Sequence, residues 1–388
     1  MSEHPHLLWP YATFAFMVGF GWFIIAPLVP AIIGHFHASL ALALLLVSLY
    51  GYAMIIMSLP AGFWIAKSGP RPILRWSIVL TVVGLFMRVG APSYSVLLIG
   101  QGIAALAYPF LIAPIGSILR LSGISRTRMA TGLVIGCLFL GMATSSLLGP
   151  HLSLRTDFGV SAVTSLVVGI WLWRSLGDIT SESSGKLGRI RIVVSRWWLI
   201  GFVISSVSVM YGSISTTALI HWHVAHALVL GGILSSLTFI GSACGAILFG
   251  WLAERQNTGI HLQKLLAVLS LIFLLACALE LTGLLTPRGL GLELAFLGFG
   301  MMGNGWYTLA LDAAARQAQN AGSAGLATAG YSMASNIGVA VIPVVLGPLV
   351  IAAPVWWLGI IVLMGLIALA VPFVTKDDAA SMSAQRTA

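Results

Sequence analysis

Runs of apolar residues long enough to cross a lipid bilayer recur along the whole of the 388-residue chain. They lie near 9–33, 42–65, 73–91, 94–119, 129–150, 159–176, 198–220, 230–253, 263–284, 289–311, 325–350 and 354–375. About 20 helical residues, each rising about 1.5 Å, match a hydrocarbon core about 30 Å thick. The runs are continuous, whereas a barrel strand alternates over about ten residues, so helices are expected. With 59% of residues hydrophobic and 7% charged, the chain has too little polar surface for a water-soluble fold. The expectation is an all-α membrane protein with twelve transmembrane helices.

A net charge of +9 raises the question of a nucleic-acid partner, and the placement of the charge answers it. Lys67, Arg71 and Arg75 follow the second run, Arg120, Arg126 and Arg128 the fourth, and Arg174, Lys186, Arg189, Arg191 and Arg196 flank the stretch after the sixth. Arg255 and Lys264 follow the eighth run, Arg316 the tenth, and Lys376 and Arg386 the twelfth. The alternate connections hold only Arg88, Arg155 and Arg288. Basic loops stay on the cytoplasmic side, so the pattern predicts both termini there, a cytoplasmic (inner) membrane, and no nucleic-acid role. "MSEHPHLL" places no basic stretch ahead of a first run long enough to span, so that run is expected to remain in the fold. Cys137, Cys244 and Cys277 fall inside runs at no metal-ligand spacing and read as small packing residues.

The longest polar interval, "GDITSESSGKLGRIRIVVSRW" at 177–197, parts the runs into two sets of six. Features recur across it at fixed offsets. Gly102, Gly132 and Gly149-Pro150 match Gly300, Gly330 and Gly347-Pro348, and "HFH" at 35–37 returns as "HWH" at 221–223. A parallel duplication follows, with two pseudo-symmetric six-helix bundles related by an axis along the membrane normal. The expected units are residues 1–177, a cytoplasmic central loop at 178–197, and residues 198–388.

Twelve spans, a long central loop and a duplicated half resemble the major facilitator superfamily of secondary transporters over essentially the whole chain. Its loop signature between the second and third helices, approximately G-x-L-A-D-R-x-G-R-R, is matched in "GFWIAKSGPRPILR" by Gly62, Lys67, Gly69 and Arg71. "GWLAER" in the second half repeats it, with Gly250, Leu252, Ala253, Glu254 and Arg255 on the same pattern. The resemblance implies alternating access, with these loops locking the two bundles together on the cytoplasmic side. Without the name, Gly69 still permits a tight reversal, Pro70 and Pro72 stiffen it, and the basic residues can anchor it at an anionic leaflet. Two departures stand out. Ala66 occupies the aspartate position of the first copy, leaving Glu254 to supply the carboxylate. A second pattern, approximately R-x-x-Q-G on the fourth helix, keeps Gln101 and Gly102 but has Leu98 for the arginine, which removes the usual proton-coupling cation.

In such a fold the substrate sits near the midplane between the halves, so polar stripes on interface helices mark it. The tenth run carries Met301, Asn304, Thr308 and Asp312 at helical spacing; the eleventh carries Tyr331 with Ser335, and Ser332 with Asn336. The seventh offers Ser205, Ser208, Gly212 and Ser215, the fourth Gln101 and Tyr108, and the first Trp22. The expected substrate contacts are Trp22, Gln101, Tyr108, Asn304, Thr308, Tyr331, Ser335 and Asn336. The plainer reading has the serines bonding their own backbone and the aromatics packing in the core or facing lipid. Charged residues within the runs are few, so a neutral, zwitterionic or singly charged organic solute is expected. Asp312 is the candidate carrier if protons are the coupling ion.

His35, His37, His151, His221, His223 and His226 all map to the outer side. They read as a protonatable gate, as a metal cluster, or as ordinary interfacial histidines. There is no catalytic constellation and no G-x-x-x-x-G-K-[ST] loop, so no enzyme activity and no cofactor are expected. The expectation is a monomeric secondary transporter for uptake of a small organic solute. Export of drugs or metabolites is the alternative, and a non-transporting receptor on the same fold is a third reading.

Overall fold

All twelve apolar runs are helical in the computed structural model, which describes residues 7–122, 124, 127–178, 198–256, 259–283, 290–316 and 321–374. The helices of the first half are α1 (Leu8–Phe23), α2 (Ile25–Phe36), α3 (Leu40–Ser68), α4 (Pro70–Val89), α5 (Tyr94–Ile112), α6 (Ile115–Leu121), α7 (Thr127–Leu148) and α8 (Leu154–Ser175). Those of the second half are α9 (Trp198–His221), α10 (Ala227–Gln256), α11 (Gly259–Leu281), α12 (Leu290–Arg316), α13 (Ala321–Leu346), α14 (Leu349–Ala352) and α15 (Pro354–Val374). The first, fourth and eleventh runs are each split in two, and proline is the cause. Pro27 and Pro30 follow the break at Ile24, Pro114 precedes α6, and Pro348 precedes α14. Each lacks an N–H and its ring presses on the carbonyl four residues back.

Among the described residues, ten helices are long and apolar enough to cross a membrane by length and composition, and α15 adds a shorter apolar stretch, Pro354–Ala368. α12 is equally long at 27 residues, but its apolar content is diluted by the stripe that holds Asn304, Tyr307 and Thr308. Ser39, Ser93 and Ser153 begin α3, α5 and α8, their hydroxyls accepting from the backbone N–H of Leu42, Val96 and Thr156. Between α3 and α4 lies a single residue, Gly69, at φ 78° and ψ 171°, whose N–H closes α3 on the Ile65 carbonyl while Pro70 opens α4. Only glycine takes that conformation without strain.

Packing repeats with a six-span offset. α1 lies on α7 and α8 as α9 lies on α13 and α15; α4 lies on α5 and α8 as α11 lies on α12 and α15; α3 meets α5 as α10 meets α12. Across the halves, α3 packs on α13 and α7 on α10. Each half has its own apolar core, one around Tyr11, Phe14 and Leu138, the other around Tyr211, Phe296 and Trp357. Large apolar side chains face outward from the third, sixth, ninth and twelfth spans: Val83 and Phe86, Val163 and Val167, Ile272 and Leu279, Leu363 and Leu366. Those spans form the lipid-facing flanks, whereas α9 is enclosed. Among the described residues the regular structure is entirely helical. The stretch 179–197, which holds most of the expected central loop, lies outside the described residues.

Candidate functional site

The protein has two ends: a basic end with Gly69, Arg71 and Arg255, and a histidine end with His37, His151 and His223. Between them, three aromatic rings from three helices form one wall. Trp22 of α1 stacks flat on Tyr50 of α3, with centroids 4.4 Å apart at 2°, and Tyr108 of α5 lies 5.1 Å from Trp22. The Trp22 indole N–H donates to the Val47 carbonyl at 2.9 Å, which fixes the ring. Its position, one residue before the end of α1, is set by the proline-induced break.

The second half answers with Tyr307 of α12 and Tyr331 of α13, rings 5.3 Å apart, with Trp198 6.1 Å from Tyr331. Tyr108 and Tyr307 lie within electrostatic reach of each other across the interface. Asn304 Nδ2 donates to Ser242 Oγ of α10 at 2.7 Å, and Thr308 Oγ1 to the Asn304 carbonyl at 2.9 Å. Asn336 Nδ2 and Ser335 Oγ are held on their own helix, by Ser332 O and Tyr331 O. Of the eight expected contacts, Trp22 and Tyr108 thus belong to the aromatic cluster of the first half and Tyr331 to that of the second, with Asn304, Thr308, Ser335 and Asn336 on the helices that carry the second cluster.

Gln101 has a different task. It is fully buried, its Oε1 accepts from Arg88 Nη1 at 2.6 Å, and its Nε2 donates to the Leu46 carbonyl at 3.1 Å. Arg88, expected near the outer end of the third span, is 1% exposed. Its Nη1 also donates to the Gly21 carbonyl at 2.8 Å and its Nη2 to Ser161 Oγ at 3.1 Å, and the guanidinium lies 5.0 Å from the Phe158 ring centre. One guanidinium therefore ties α1, α5 and α8 to α4 directly behind Trp22. Sequence reading missed Tyr50, Tyr307 and this role of Arg88. The only local sign was a lone arginine at the end of an otherwise apolar run.

At the basic end Lys67 is exposed, Gly62 and Gly69 are buried, and Arg71 is half-buried. Arg75 stacks over Trp173 at 4.7 Å, joining α4 to α8, and Arg255 lies 5.4 Å from the Trp251 ring. Gly250 is buried. The side chains of Ala66, Glu254 and Asp312 lie outside the described residues.

The seam between the halves is close. The backbone of Val339 and Ala340 occupies the space a Cβ on Gly51 would need, and Gly132 and Gly136 face Ala246, Ala243 and Ile247 of α10. The histidine end is closed: Ser146 Oγ and Ser235 Oγ are 3.0 Å apart, Phe23 meets Phe239 at 4.4 Å, and α2 packs on α9.

The six histidines at that end are exposed, and among the described residues no group of three or more His, Cys, Asp or Glu is placed to hold a metal ion. The repeat of H-x-H has a backbone reason instead. His37 and His223 both adopt left-handed φ, 51° and 54°, and end their helices. After His223, the Val224 N–H returns to the Leu219 carbonyl at 3.0 Å, a Schellman closure. His37→Gly or His223→Gly is therefore expected to raise stability by about 0.5–1 kcal/mol, read as a higher thermal unfolding midpoint. A lower midpoint would mean the imidazoles hold the end closed.

The same architecture is found in known proteins. A family model described as Major Facilitator Superfamily matches residues 11–326. A probable sugar efflux transporter of Helicobacter acinonychis (strain Sheeba) is 24% identical over 255 residues, 63% of this chain and 65% of that protein. One of the same name from Helicobacter pylori (strain G27) is 22% identical over 256 residues, 64% of this chain and 66% of that protein. The matched stretch thus spans just under two thirds of these relatives' length. Among solved structures, the crystal structure of peptide transporter POT in complex with sulfate shares the fold at a TM-score of 0.68 and 16% identity, covering 96% of this chain and 94% of that one. With two six-span bundles packed around an aromatic centre and a family model that spans most of its length, the chain belongs to the Major Facilitator Superfamily.

Proposed function

We propose that this secondary transporter carries an uncharged, polyhydroxylated organic solute of the size of a mono- or disaccharide. One observation carries the reading: the halves present Trp22, Tyr50 and Tyr108 on one side and Tyr307 and Tyr331 on the other, with amides and hydroxyls on the same helices; among the described residues the one charged group near these rings is Arg88, which lies behind Trp22. An aromatic face packs against the apolar face of a pyranose ring, and phenols and amides serve its hydroxyls. A multiply charged solute would lack a counter-charge there. The names of the Helicobacter relatives favour export as the direction, with uptake as the other outcome of the test.

The loops bearing Gly62, Lys67, Gly69, Arg71, Gly250, Glu254 and Arg255 serve as the lock of the basic end in the state opposite to this one, which is closed at the histidine end. The basic loops support a cytoplasmic placement of both termini in an inner membrane, and the chain's two bundles, joined through 178–197, work as a monomer.

Counterflow of radiolabelled glucose and lactose in proteoliposomes tests the reading. Trp22→Ala is expected to lower kcat/KM for the transported sugar about tenfold, the loss of about 1.4 kcal/mol of ring stacking, in protein that remains monodisperse. Binding without flux would point to a receptor, and flux of charged amino acids in preference to sugars would overturn the substrate class.

A further inference from the structure

Asp157, in the first turn of α8, is fully buried, and neither of its carboxyl oxygens has a hydrogen-bond partner. A carboxylate stripped of water with no donor is strongly unfavourable, and a proton relieves it. The residues that follow on the same helix, Phe158 and Ser161, both touch Arg88. The described partners of Arg88 are all neutral, and its Nε has none. Asp157 therefore lies one turn of α8 before the serine that Arg88 holds, and the two groups of opposite charge type are both buried without pairing.

Arg88 leads from there to the aromatic wall. It holds the carbonyl of Gly21, which precedes Trp22, and it holds Gln101, whose amide takes the Leu46 carbonyl next to Val47. Val47 in turn anchors the Trp22 indole, and Tyr50, within electrostatic reach of Arg88, stacks on that indole.

We propose that Asp157 is a proton-binding site linked through Arg88 to the aromatic wall. With the proton on, Asp157 is neutral and Arg88 braces Gly21 and Gln101, as here. When the proton leaves to water at the histidine end, the carboxylate draws the guanidinium toward α8 and slackens the brace behind Trp22. Among the described residues, other groups leave this exchange to the pair. α4 and α1 pack on α8; the other arginines of α4, Arg71 and Arg75, lie at the basic end. Tyr11, the titratable residue of α1, is at the basic end too and bonds Leu111 O, while Arg155 and His151 are exposed. The sign follows: the braced wall belongs to the protonated form, so solute affinity is highest at low pH and falls as pH rises, and solute binding takes up a proton. The link to affinity rests on the sugar reading above; the proton site does not.

Infrared difference spectra of the purified protein at about pH 5.5 and about pH 8.5, a span in which buried carboxyls titrate, are expected to show the carbonyl stretch of a neutral carboxylic acid. Asp157→Asn should abolish that band, and Asp157→Glu should retain it at a shifted frequency. In lactose counterflow, wild-type apparent affinity should fall about tenfold over the same span, a usual size for coupled sites. Asp157→Asn should be flat at the low-pH level. A band that survives Asp157→Asn, or an Asp157→Asn variant that keeps the wild-type pH profile, overturns the proposal. If Asp157→Asn does not fold, the Asp157→Glu variant decides: an unshifted band sinks the site. Absence of counterflow with the band intact sinks the sugar reading and leaves the proton site standing.

Discussion

Arg88→Ala should destabilise the first half by about 3–5 kcal/mol, the cost of removing one member of a fully buried charged network. The substitution removes three hydrogen bonds at once. Gln101 Oε1 loses its donor inside a dry core, the Gly21 carbonyl loses the contact beside the helix break, and α8 loses the hydrogen bond through Ser161 that ties it to α4. Bonds to a charged donor are worth about 1.5–3 kcal/mol each, and the orphaned amide oxygen adds its own desolvation cost. Thermal unfolding in detergent measures it. Arg88→Met separates two explanations, because it keeps the apolar stem and removes only the guanidinium. If Arg88→Met is as stable as wild type, the arginine is not holding the half together. If it is as damaged as Arg88→Ala, the hydrogen bonds carry the effect.

Gly51→Val should have the opposite signature: transport lowered on the order of 100-fold, about 2.7 kcal/mol on the rocking step, with each half still folded. The space beside Gly51 is filled by backbone of α13, from Val339 and Ala340, and backbone cannot rotate away as a side chain can. In lipid no hydrophobic force presses helices together, so close approach depends on small residues at the contact. A branched side chain there forces α3 and α13 apart and biases the two halves away from the arrangement seen here. The measurement is sugar counterflow beside thermal unfolding. Loss of both would mean that the seam is part of the folding core, and loss of neither would mean that the halves do not need this approach to exchange states. Gly141 is a useful contrast. It abuts the backbone of Phe16 and Phe20 within the first half, so substitution there is a matter of folding rather than of motion.

The spans were legible because each one is written locally, in continuous apolar length, whereas the starts at Ser39, Ser93 and Ser153 and the proline breaks emerged only with the structure. The duplication was legible because glycines and H-x-H recur at fixed offsets, and the packing repeats with the same six-span step. Trp22, Tyr108 and Tyr331 were read as substrate contacts on helices expected to face the centre, and the structure places them in aromatic clusters. Tyr50 and Tyr307 were not so read, since an aromatic in an apolar run gives no sign of which ring it meets. Gln101 was assigned to the solute because polar residues in a span are expected to line a cavity, and Arg88 was left at a helix end by its position in the run. Their pairing joins residues 13 apart on neighbouring helices, and no local pattern encodes it.

Gly69 is the whole of the connection between the helix at the seam and the helix that carries Arg88. With no slack residue to absorb displacement, α3 and α4 behave as the two arms of a crank whose only free pins are the torsions of one glycine. When α3 tilts against α13, the arm opposite must turn with it. Its far tip is the guanidinium that steadies Trp22, so movement at the seam reaches the aromatic wall mechanically, whether or not a solute is present to transmit it.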